Sequence, residues 1–380
     1  MKIEGAEETD STMNHVPYLD LKAQYTAIRD DVQAAFAEVC DSARFAQGPP
    51  TRAFEQEFAT YCGVAHCVSV NSGTSALHLA LRCLNIGPGD EVITTPFTFI
   101  ATAWAISYVG ATPVFVDIEP QRRALDPAQV EVAVTPHTKA IIPVHIFGMP
   151  ADMDALNVIA KNHKLFIVED AAQAHGARYK GKRVGQFGAI SCFSFYPTKN
   201  LGAYGEGGAL LTNDPELAAR ARALREHAQS ARYVHEEIAY NYRMDSLQAA
   251  VLRVKLKRLD AWNATRAAHA RRYGEQLAGT PYRLPSNPID SESVWHCYVI
   301  ECENRDRVRA ALANAGIDTA INYPLPLHLQ PVYRPLGYHR CQLPVAEHLC
   351  ERCLSLPIYP ELAEKQISMV ASALRLAAAC

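Results

Sequence analysis

The sequence predicts an α/β protein in which a mixed, mostly parallel sheet of seven strands is flanked by helices and followed by a smaller α+β C-terminal domain. From residue 66 onward, short β-rich runs alternate with helical segments, a pattern typical of a parallel sheet covered on both faces. The last three runs are separated by glycine-rich turns rather than by long helices, so some strands pair through short connections and the sheet is mixed. After Pro215 the pattern turns helical, and a new β-rich run begins only at Trp295.

The seven predicted strands are short and largely apolar. They are HCVSV (66–70), EVIT (91–94), TPVFVDI (112–118), AIIPVH (140–145), LFIVED (165–170), AISCFSF (189–195) and GALLT (208–212). Helical segments lie between several of them, including SALHLALRCLN and FIATAWAISYV. Two more helices are predicted to begin after Asp126 and Asp152, because aspartate caps a helix N-terminus and Pro127 suits the first helical turn.

The chain divides into a predicted large domain at residues 17–255 and a predicted small domain at residues 256–380. The boundary falls within a long helical segment at residues 244–277, whose basic residues are interpreted as a solvated helix face. In the small domain, a strand is predicted in WHCYVIEC and a helix near residues 305–315.

Length and composition narrow the class of protein. A chain of 380 residues is long enough for two domains, and 49% apolar with 20% charged residues is ordinary for a globular protein. The net charge of −3 argues against a nucleic-acid or anionic-membrane partner, and no apolar run is long enough for a transmembrane helix. The polar, acidic residues 1–16 lack the apolar stretch of a secretory signal and are expected to form a disordered leader.

The 11 cysteines are scattered and odd in number, which is typical of small buried side chains in a reducing compartment and predicts a cytoplasmic protein. The one close pair, Cys350 and Cys353, invites a zinc or redox interpretation. It lacks a second ligand pair at zinc spacing and lies in a helix-like stretch. The sequence therefore predicts no metal site.

The residues that follow each strand are the candidates for function, because ligands of such sheets bind beyond the carboxyl ends of the strands. The run Asn71-Ser72-Gly73-Thr74-Ser75 follows the first strand and leads into a helix. Its small residues and hydroxyls suit either a phosphate site at the helix N-terminus or a plain helix cap.

Two ionisable residues also lie at strand ends. Asp170 ends the fifth strand, as a functional carboxylate or as a capping residue, and Lys199 follows the sixth, as an amine nucleophile or as a solvated surface lysine.

Two glycine-rich segments match other motifs only in part. In Gly176–Lys182 the phosphate-loop spacing is followed by Arg183 where Ser or Thr is needed, and Gly205–Gly208 precedes a strand instead of opening a helix.

Together, a phosphate-type turn, a strand-end aspartate and a strand-end lysine are the groups that pyridoxal 5′-phosphate chemistry requires. In such enzymes the lysine forms a Schiff base with the cofactor. The aspartate keeps the pyridine nitrogen protonated, and the helix N-terminus neutralises the phosphate.

These motifs make the sequence resemble the DegT/DnrJ/EryC1/StrS family of sugar aminotransferases, which have the type I aspartate-aminotransferase fold of pyridoxal-phosphate enzymes. The resemblance extends over nearly the whole chain from about Pro17. It is carried by VEDAAQAHGARYKGKRVGQFGAISCFSFYPTKNLGAYGEGGALLTND and by NSGTSALHLAL, TTPFTFIATAWA, PVFVDIEP, IIPVHIFGMPADMDAL, YNYRMDSLQAAVL and YPLPLHLQPVY.

The resemblance implies a role for each candidate residue. Lys199 matches the lysine that binds the cofactor covalently, Asp170 the acid that faces the pyridine nitrogen, and Gln173 the residue beside the cofactor's 3′-oxygen. Phe99 matches an aromatic residue over the ring. Asn241 matches an asparagine that reaches a phosphate across the interface of a homodimer with shared active sites. The phosphate ligands are matched by Gly73, Thr74, Ser75 and Ser194, and residues near the sugar by Tyr323 and His328.

The implied activity is transfer of an amino group from L-glutamate to a nucleotide-linked keto-sugar, in two half-reactions. The turn Lys199-Asn200-Leu201-Gly202 resembles that of enzymes that aminate the C-3 ketone, here of a dTDP- or UDP-sugar. Three alternatives stay open: amination at C-4, an aminotransferase of amino acids or small ketones, and a regulator that binds cofactor or sugar without turnover. The intact Lys199 and Asp170 argue against the regulator.

Overall fold

The computed structural model describes residues 15–379, which form twelve α-helices and fourteen strands. The helices are α1 (Leu21–Ser42), α2 (Pro49–Cys62), α3 (Gly73–Cys83), α4 (Ala101–Tyr108), α5 (Pro127–Ala133), α6 (Met153–His163), α7 (Pro215–Arg225), α8 (Ser246–Leu256), α9 (Leu259–Gln276), α10 (Arg305–Asn314), α11 (Pro344–Arg352) and α12 (Glu364–Ala379). The strands are β1 (His66–Val70), β2 (Glu91–Thr94), β3 (Thr112–Phe115), β4 (Thr138–Ile142), β5 (Phe166–Asp170), β6 (Arg178–Tyr179), β7 (Lys182–Arg183), β8 (Ile190–Ser194), β9 (Gly208–Thr212), β10 (Gln229–Ala231), β11 (Val234–His235), β12 (Ser291–Glu292), β13 (Tyr298–Glu301) and β14 (Cys353–Leu356).

A seven-stranded sheet in the order β1-β9-β8-β5-β4-β2-β3 lies at the centre of the fold. Each of its strands overlaps one of the seven predicted runs. Neighbouring strands pair in parallel except on either side of β9, which is antiparallel to both β1 and β8. The predicted α/β class, with a mixed and mostly parallel sheet, is confirmed.

Helices cover both faces of this sheet, as successive residues of β2 illustrate. Val92 packs in a core cluster with residues of α3 and α4, whereas Ile93 packs with residues of α5 and α6, because neighbouring side chains of a strand point to opposite faces. The predicted caps are confirmed as well. Asp126 and Asp152 each accept a backbone hydrogen bond from the first turn of the following helix, at 3.0 and 3.2 Å.

The prediction of one helix over residues 244–277 is wrong. The structure has two helices, α8 and α9, with a break at Lys257 and Arg258. The two helices have different neighbours, since α8 packs against α1 and α2 whereas α9 packs against α12. The apolar spacing continues across the break, so the sequence pattern does not reveal it.

The C-terminal region contains the antiparallel pair β13 and β14, which share a core with residues of α9, α10 and α12. The strand and helix predicted there correspond to β13 and α10. Of the predicted leader, residues 1–14 lie outside the described residues, while Val16 is buried and pairs with Ile317. The division of the chain at residue 255 stays a prediction. Within residues 15–379, no helix combines the length and the apolar character needed to cross a membrane.

Candidate active site

A cavity of about 560 Å³ lies at the carboxyl edge of the sheet, beside the ends of β1, β5 and β8. This is the edge at which the sequence predicts function, because the candidate residues follow those strands. The predicted residues that line it are Gly73, Thr74, Phe99, Asp170, Gln173, Ser194, Lys199 and Tyr323.

Asp170 is the last residue of β5, and it is 5% exposed. Its Oδ2 accepts a hydrogen bond from the Thr102 hydroxyl at 2.7 Å, and its Oδ1 accepts one from the backbone N–H of Ala172 at 3.2 Å. Burial raises the pKa of the Asp170 carboxyl, while these two hydrogen bonds and the charge of Lys199 act in the opposite direction. A carboxyl in this setting gains from any cationic partner placed in the cavity.

Lys199 lies in the turn that follows β8, and its backbone N–H donates to the carbonyl of Tyr196 at 2.9 Å. Burial lowers the pKa of the Lys199 amine, while the negative charge of Asp170 acts in the opposite direction. An amine with a lowered pKa is neutral more of the time, and the neutral form is the one that reacts as a nucleophile or accepts a proton.

The N-terminus of α3 forms one end of the cavity. Ser72 caps this helix, since its Oγ accepts a hydrogen bond from the backbone N–H of Ser75 at 3.0 Å. A Cβ at Gly73 would lie 2.6 Å from the Cβ of Ser194, so only glycine permits this close contact. Thr74 and Ser194 line the cavity, whereas Ser75 is 8% exposed and is not among the described residues that line it. Hydroxyl groups beside a helix N-terminus suit an anion.

Gln173, Tyr323 and Phe99 are linked along another wall of the cavity. Gln173 accepts a hydrogen bond from the backbone N–H of Phe147 at 2.7 Å and donates one from Nε2 to the Tyr323 hydroxyl at 3.1 Å. The ring of Phe99 is centred 6.2 Å from that of Tyr323 and is 54% exposed. An aromatic side chain at this place offers a face for another flat ring.

Two other predicted residues lie away from this cavity. His328 is 1% exposed, and its Nε2 lies 3.2 Å from a carboxylate oxygen of Glu347. Burial lowers the pKa of His328, and Glu347 acts in the opposite direction. Asn241 is exposed and lies after the β10–β11 hairpin, where its backbone pairs with Glu226. A role for Asn241 at a cavity therefore depends on a second copy of the chain.

The sequence prediction missed the threonines that support Asp170. Thr102 donates to Asp170, and its oxygen lies 3.2 Å from the hydroxyl of Thr98. Both threonines are nearly inaccessible to solvent. They belong to the segment TTPFTFIATAWA, but residue type alone does not distinguish a threonine that supports a carboxylate from one that packs in the core.

The structure also shows what becomes of two further motifs, the segment that partly matches a phosphate loop and the close pair of cysteines. The segment Gly176–Lys182 forms most of the β6–β7 hairpin and does not open a helix, so it is not a phosphate loop. Cys350 and Cys353 are buried free thiols, and burial raises the pKa of Cys353 to about 11. Over the described part of the chain, no group of three or more His, Cys, Asp or Glu side chains is placed to hold a metal ion.

The model of the DegT/DnrJ/EryC1/StrS aminotransferase family matches residues 26–375. The chain belongs to this family. It is 50% identical over 361 residues to dTDP-3-amino-3,4,6-trideoxy-alpha-D-glucose transaminase of Streptomyces venezuelae, a match that covers 95% of each chain. It is 48% identical over 360 residues to UDP-N-acetyl-3-dehydro-alpha-D-glucosamine 3-aminotransferase of Acidithiobacillus ferrooxidans, which covers 95% of this chain and 97% of the relative.

Solved structures of similar proteins share the fold over nearly the whole chain. S. venezuelae DesV, in complex with a ketimine intermediate, matches with a TM-score of 0.94 at 50% identity, over 96% of this chain and 99% of DesV. NtdA of Bacillus subtilis, with bound cofactor PMP, matches with a TM-score of 0.90 at 31% identity, over 98% of this chain and 87% of NtdA. The predicted type I fold and the predicted class of enzyme, an aminotransferase, are confirmed.

Proposed function

We propose that this DegT/DnrJ/EryC1/StrS aminotransferase moves the amino group of L-glutamate to the C-3 ketone of a dTDP- or UDP-linked sugar, with pyridoxal 5′-phosphate as its cofactor. The observation that carries the proposal is that Lys199, Asp170 and the N-terminus of α3 surround one cavity. The products are 2-oxoglutarate and the 3-amino sugar.

The side chains of the cavity fit this cofactor. The pKa of Asp170 is raised by burial, so its carboxylate gains from a protonated pyridine nitrogen. Gly73 lets the backbone of α3 come close, and the hydroxyls of Thr74 and Ser194 lie at the same end of the cavity, which suits a phosphate. The exposed ring of Phe99 suits the face of the pyridine ring.

When bound, the cofactor carries the amino group between the two half-reactions and accepts the electrons of the C–H bond that breaks. Lys199 holds the cofactor through Nζ until the amino donor arrives. Its freed, neutral amine then accepts the proton from the α-carbon of glutamate. In the second half-reaction the same group, now in its protonated form, delivers a proton to C-3 of the sugar. Asp170 holds positive charge at the ring nitrogen, and Thr102 keeps its carboxylate oriented through the hydrogen bond at 2.7 Å.

Support for C-3 comes from two sources. The turn Lys199-Asn200-Leu201-Gly202 resembles that of enzymes acting at a C-3 ketone. Of the relatives above, one is named for a 3-amino dTDP-sugar and the other for a 3-dehydro UDP-sugar. Because the identities are 50% and 48%, we expect this chain to aminate the same carbon. The two relatives differ in the nucleotide, so the substrate carries either dTDP or UDP.

The test offers purified protein, loaded with pyridoxal 5′-phosphate and given L-glutamate, dTDP- and UDP-linked hexoses that carry the ketone at C-3 or at C-4. NMR of the products assigns the aminated carbon, and we expect amination of a 3-keto sugar. Amination at C-4 alone contradicts the position and leaves the aminotransferase chemistry standing. If glutamate changes the absorbance spectrum of the cofactor but none of the sugars is aminated, the substrate is a simpler keto compound. No spectral change on adding glutamate favours a regulator that binds without turnover.

We further propose that the protein is a homodimer with shared active sites. Among the described residues that line the cavity, Lys199 carries the one basic side chain, so a bound phosphate gains from a further partner that a second copy of the chain supplies. Asn241 is exposed. Shortly before it in the sequence, Tyr233, Val234 and Ile238 are 77, 51 and 86% exposed. Exposed apolar groups that form a patch are typical of protein interfaces, and we expect a second copy that binds there to bring Asn241 to the phosphate.

A further inference from the structure

The residue that follows Lys199 attaches the lysine turn to distant parts of the chain. Asn200 is 4% exposed. Its amide Nδ2 donates two hydrogen bonds, to the carbonyl of Val294 at 2.8 Å and to Oδ1 of Asn263 at 2.9 Å. Its Oδ1 lies 3.2 Å from Nδ1 of His296. The amide therefore uses both of its donor hydrogens and its acceptor oxygen.

The partners of Asn200 fix which atoms donate. The carbonyl of Val294 only accepts, so the atom of Asn200 that faces it is Nδ2 and not Oδ1. The other amide atom, Oδ1, also only accepts, so the hydrogen between Asn200 and His296 belongs to the histidine. His296 must therefore carry its hydrogen on Nδ1.

His296 is held in its neutral form. Burial lowers its pKa well below the ordinary value, and the positive charge of Arg266 acts in the same direction. A neutral imidazole has a single N–H, and at His296 that hydrogen is engaged by Asn200. The ring thus adds a fixed hydrogen bond and no charge behind the lysine turn.

The partners of Asn200 are themselves fixed to the surrounding elements. The backbone N–H of His296 donates to the carbonyl of Phe147 at 2.9 Å. Asn263 lies on α9, and its Nδ2 donates to the carbonyl of His175 at 2.8 Å. The network joins the lysine turn to α9 and to the segment before β13.

We propose that Asn200 and His296 are positioning residues that hold the backbone of Lys199 where its amine can move a proton, an inference that rests on the proposed function. Lys199 must occupy two positions in turn, bound to the cofactor and free beside it. A misplacement of about 1 Å in such a group costs on the order of 10²-fold in rate, so the turn that carries it needs a fixed backbone. His296 acts through Asn200 and does not line the cavity in the described part of the chain.

The experiment compares His296→Ala with His296→Asn in the holoenzyme. The amide NH₂ of asparagine takes the place of Nδ1–H, so His296→Asn keeps the hydrogen bond to Asn200 whereas His296→Ala removes it. His137→Ala, which changes an exposed histidine at the opposite edge of the sheet, is the matched control. The measurements are kcat and KM for the keto-sugar, and the pH midpoint of the visible absorbance change of the bound cofactor.

We expect His296→Ala to lower kcat by about tenfold or more, the loss expected for one buried hydrogen bond, with KM nearly unchanged. The absorbance midpoint should also move, because the environment of the Lys199 nitrogen changes. His296→Asn should restore both quantities. Equal impairment of the two variants, or a His296→Ala enzyme that matches the His137→Ala control, overturns the inference. If the wild-type protein shows no cofactor absorbance band that changes on addition of glutamate, the proposed function itself is overturned, and the inference with it.

Discussion

Asp170 and Lys199 share a cavity, and burial moves both groups toward their uncharged forms: it raises the pKa of the carboxyl and lowers the pKa of the amine. The charge of each group opposes the pKa shift of the other, because a carboxylate stabilises a nearby ammonium and an ammonium stabilises a nearby carboxylate. Ionisable groups that are perturbed in this way within one cavity are typical of a catalytic site.

At the residue scale, the first prediction concerns Lys199. Borohydride reduction of the loaded protein should fix the cofactor to Lys199, because its amine lies in the cavity and is the one expected to bind covalently. Peptide mass spectrometry locates the adduct. Lys199→Ala should lose turnover, whereas Lys180→Ala, at an exposed lysine, should retain it. A reduced adduct on any other lysine contradicts the assignment.

The second prediction concerns Thr102, whose hydroxyl donates to Asp170. Thr102→Val removes a hydrogen bond to a charged group while keeping the shape of the side chain, so cofactor binding should weaken by about 1.5–3 kcal/mol. The Kd for pyridoxal 5′-phosphate, from absorbance titration of the apoprotein, measures the loss. Thr102→Ser retains the hydroxyl and should bind nearly as wild type does. If the valine and serine variants bind equally well, the hydroxyl does not support Asp170.

The positions of Asp170 and Lys199 could be predicted from the sequence because both follow apolar strands, and strand ends of such a sheet meet at one edge. Thr102 and Asn200 could not. Thr102 contacts a residue 68 positions away, and Asn200 contacts Asn263 and His296 at separations of 63 and 96. Contacts between residues so far apart in the sequence depend on tertiary packing, which cannot be predicted from residue type and spacing.

At the scale of elements, strands and helix caps follow from local signals, so the seven strands and the caps at Asp126 and Asp152 could be predicted. The break between α8 and α9 could not, because it depends on which helices each segment packs against. Lys255, in the same segment, also differs from the prediction. The sequence assigns its basic residues to a solvated face, yet Lys255 is 1% exposed and donates from Nζ to the carbonyl of Gly202 at 2.7 Å.

The third prediction is the pH dependence that Lys255 gives to stability. Burial lowers the pKa of Lys255 from its ordinary 10.5 to about 7, and Glu361 acts in the opposite direction. Between pH 7 and pH 9 the unfolded chain therefore holds a proton that the folded chain has lost. The contribution of Lys255 to the free energy of unfolding rises with pH in this window, by at most about 1.4 kcal/mol per pH unit. Below about pH 7 both states are protonated, and this slope disappears.

Lys255→Met isolates this effect, because it removes the titrating group and keeps the length of the side chain. The difference in the free energy of unfolding between wild type and Lys255→Met, from urea unfolding, should widen in favour of wild type from pH 7 to pH 9. Lys257→Met, at an exposed lysine two residues on, should show no such trend. A difference that stays constant with pH means that Lys255 is protonated throughout this range.

At the scale of the whole molecule, distant parts of the chain meet around the lysine turn. Asn200 joins this turn to α9 and to the segment before β13, while Val16 pairs with Ile317 in the C-terminal region. Lys255 holds the same turn from α8. The lysine is thus supported by elements from both predicted domains.

The last prediction is that Asn241 acts across a dimer interface. Asn241→Ala should leave the protein dimeric in sedimentation and weaken cofactor binding by about 1.5–3 kcal/mol, the loss of one hydrogen bond to a charged group. Asn304→Ala, at an exposed asparagine before α10, is the matched control. A monomer at micromolar concentration, or unchanged cofactor binding in Asn241→Ala, contradicts the proposal.

Mixing two impaired variants, at a cofactor concentration too low to fill the sites of Asn241→Ala, decides whether Asn241 acts on its own chain or on its partner. A dimer of one Lys199→Ala chain and one Asn241→Ala chain contains one site with an intact Lys199 and, from the partner chain, an intact Asn241. Random reassociation of equal amounts should therefore restore about a quarter of the sites in a two-fold dimer. If Asn241 instead serves the cavity of its own chain, every site keeps one defect and mixing restores nothing. The recovered rate thus separates a shared active site from two independent ones.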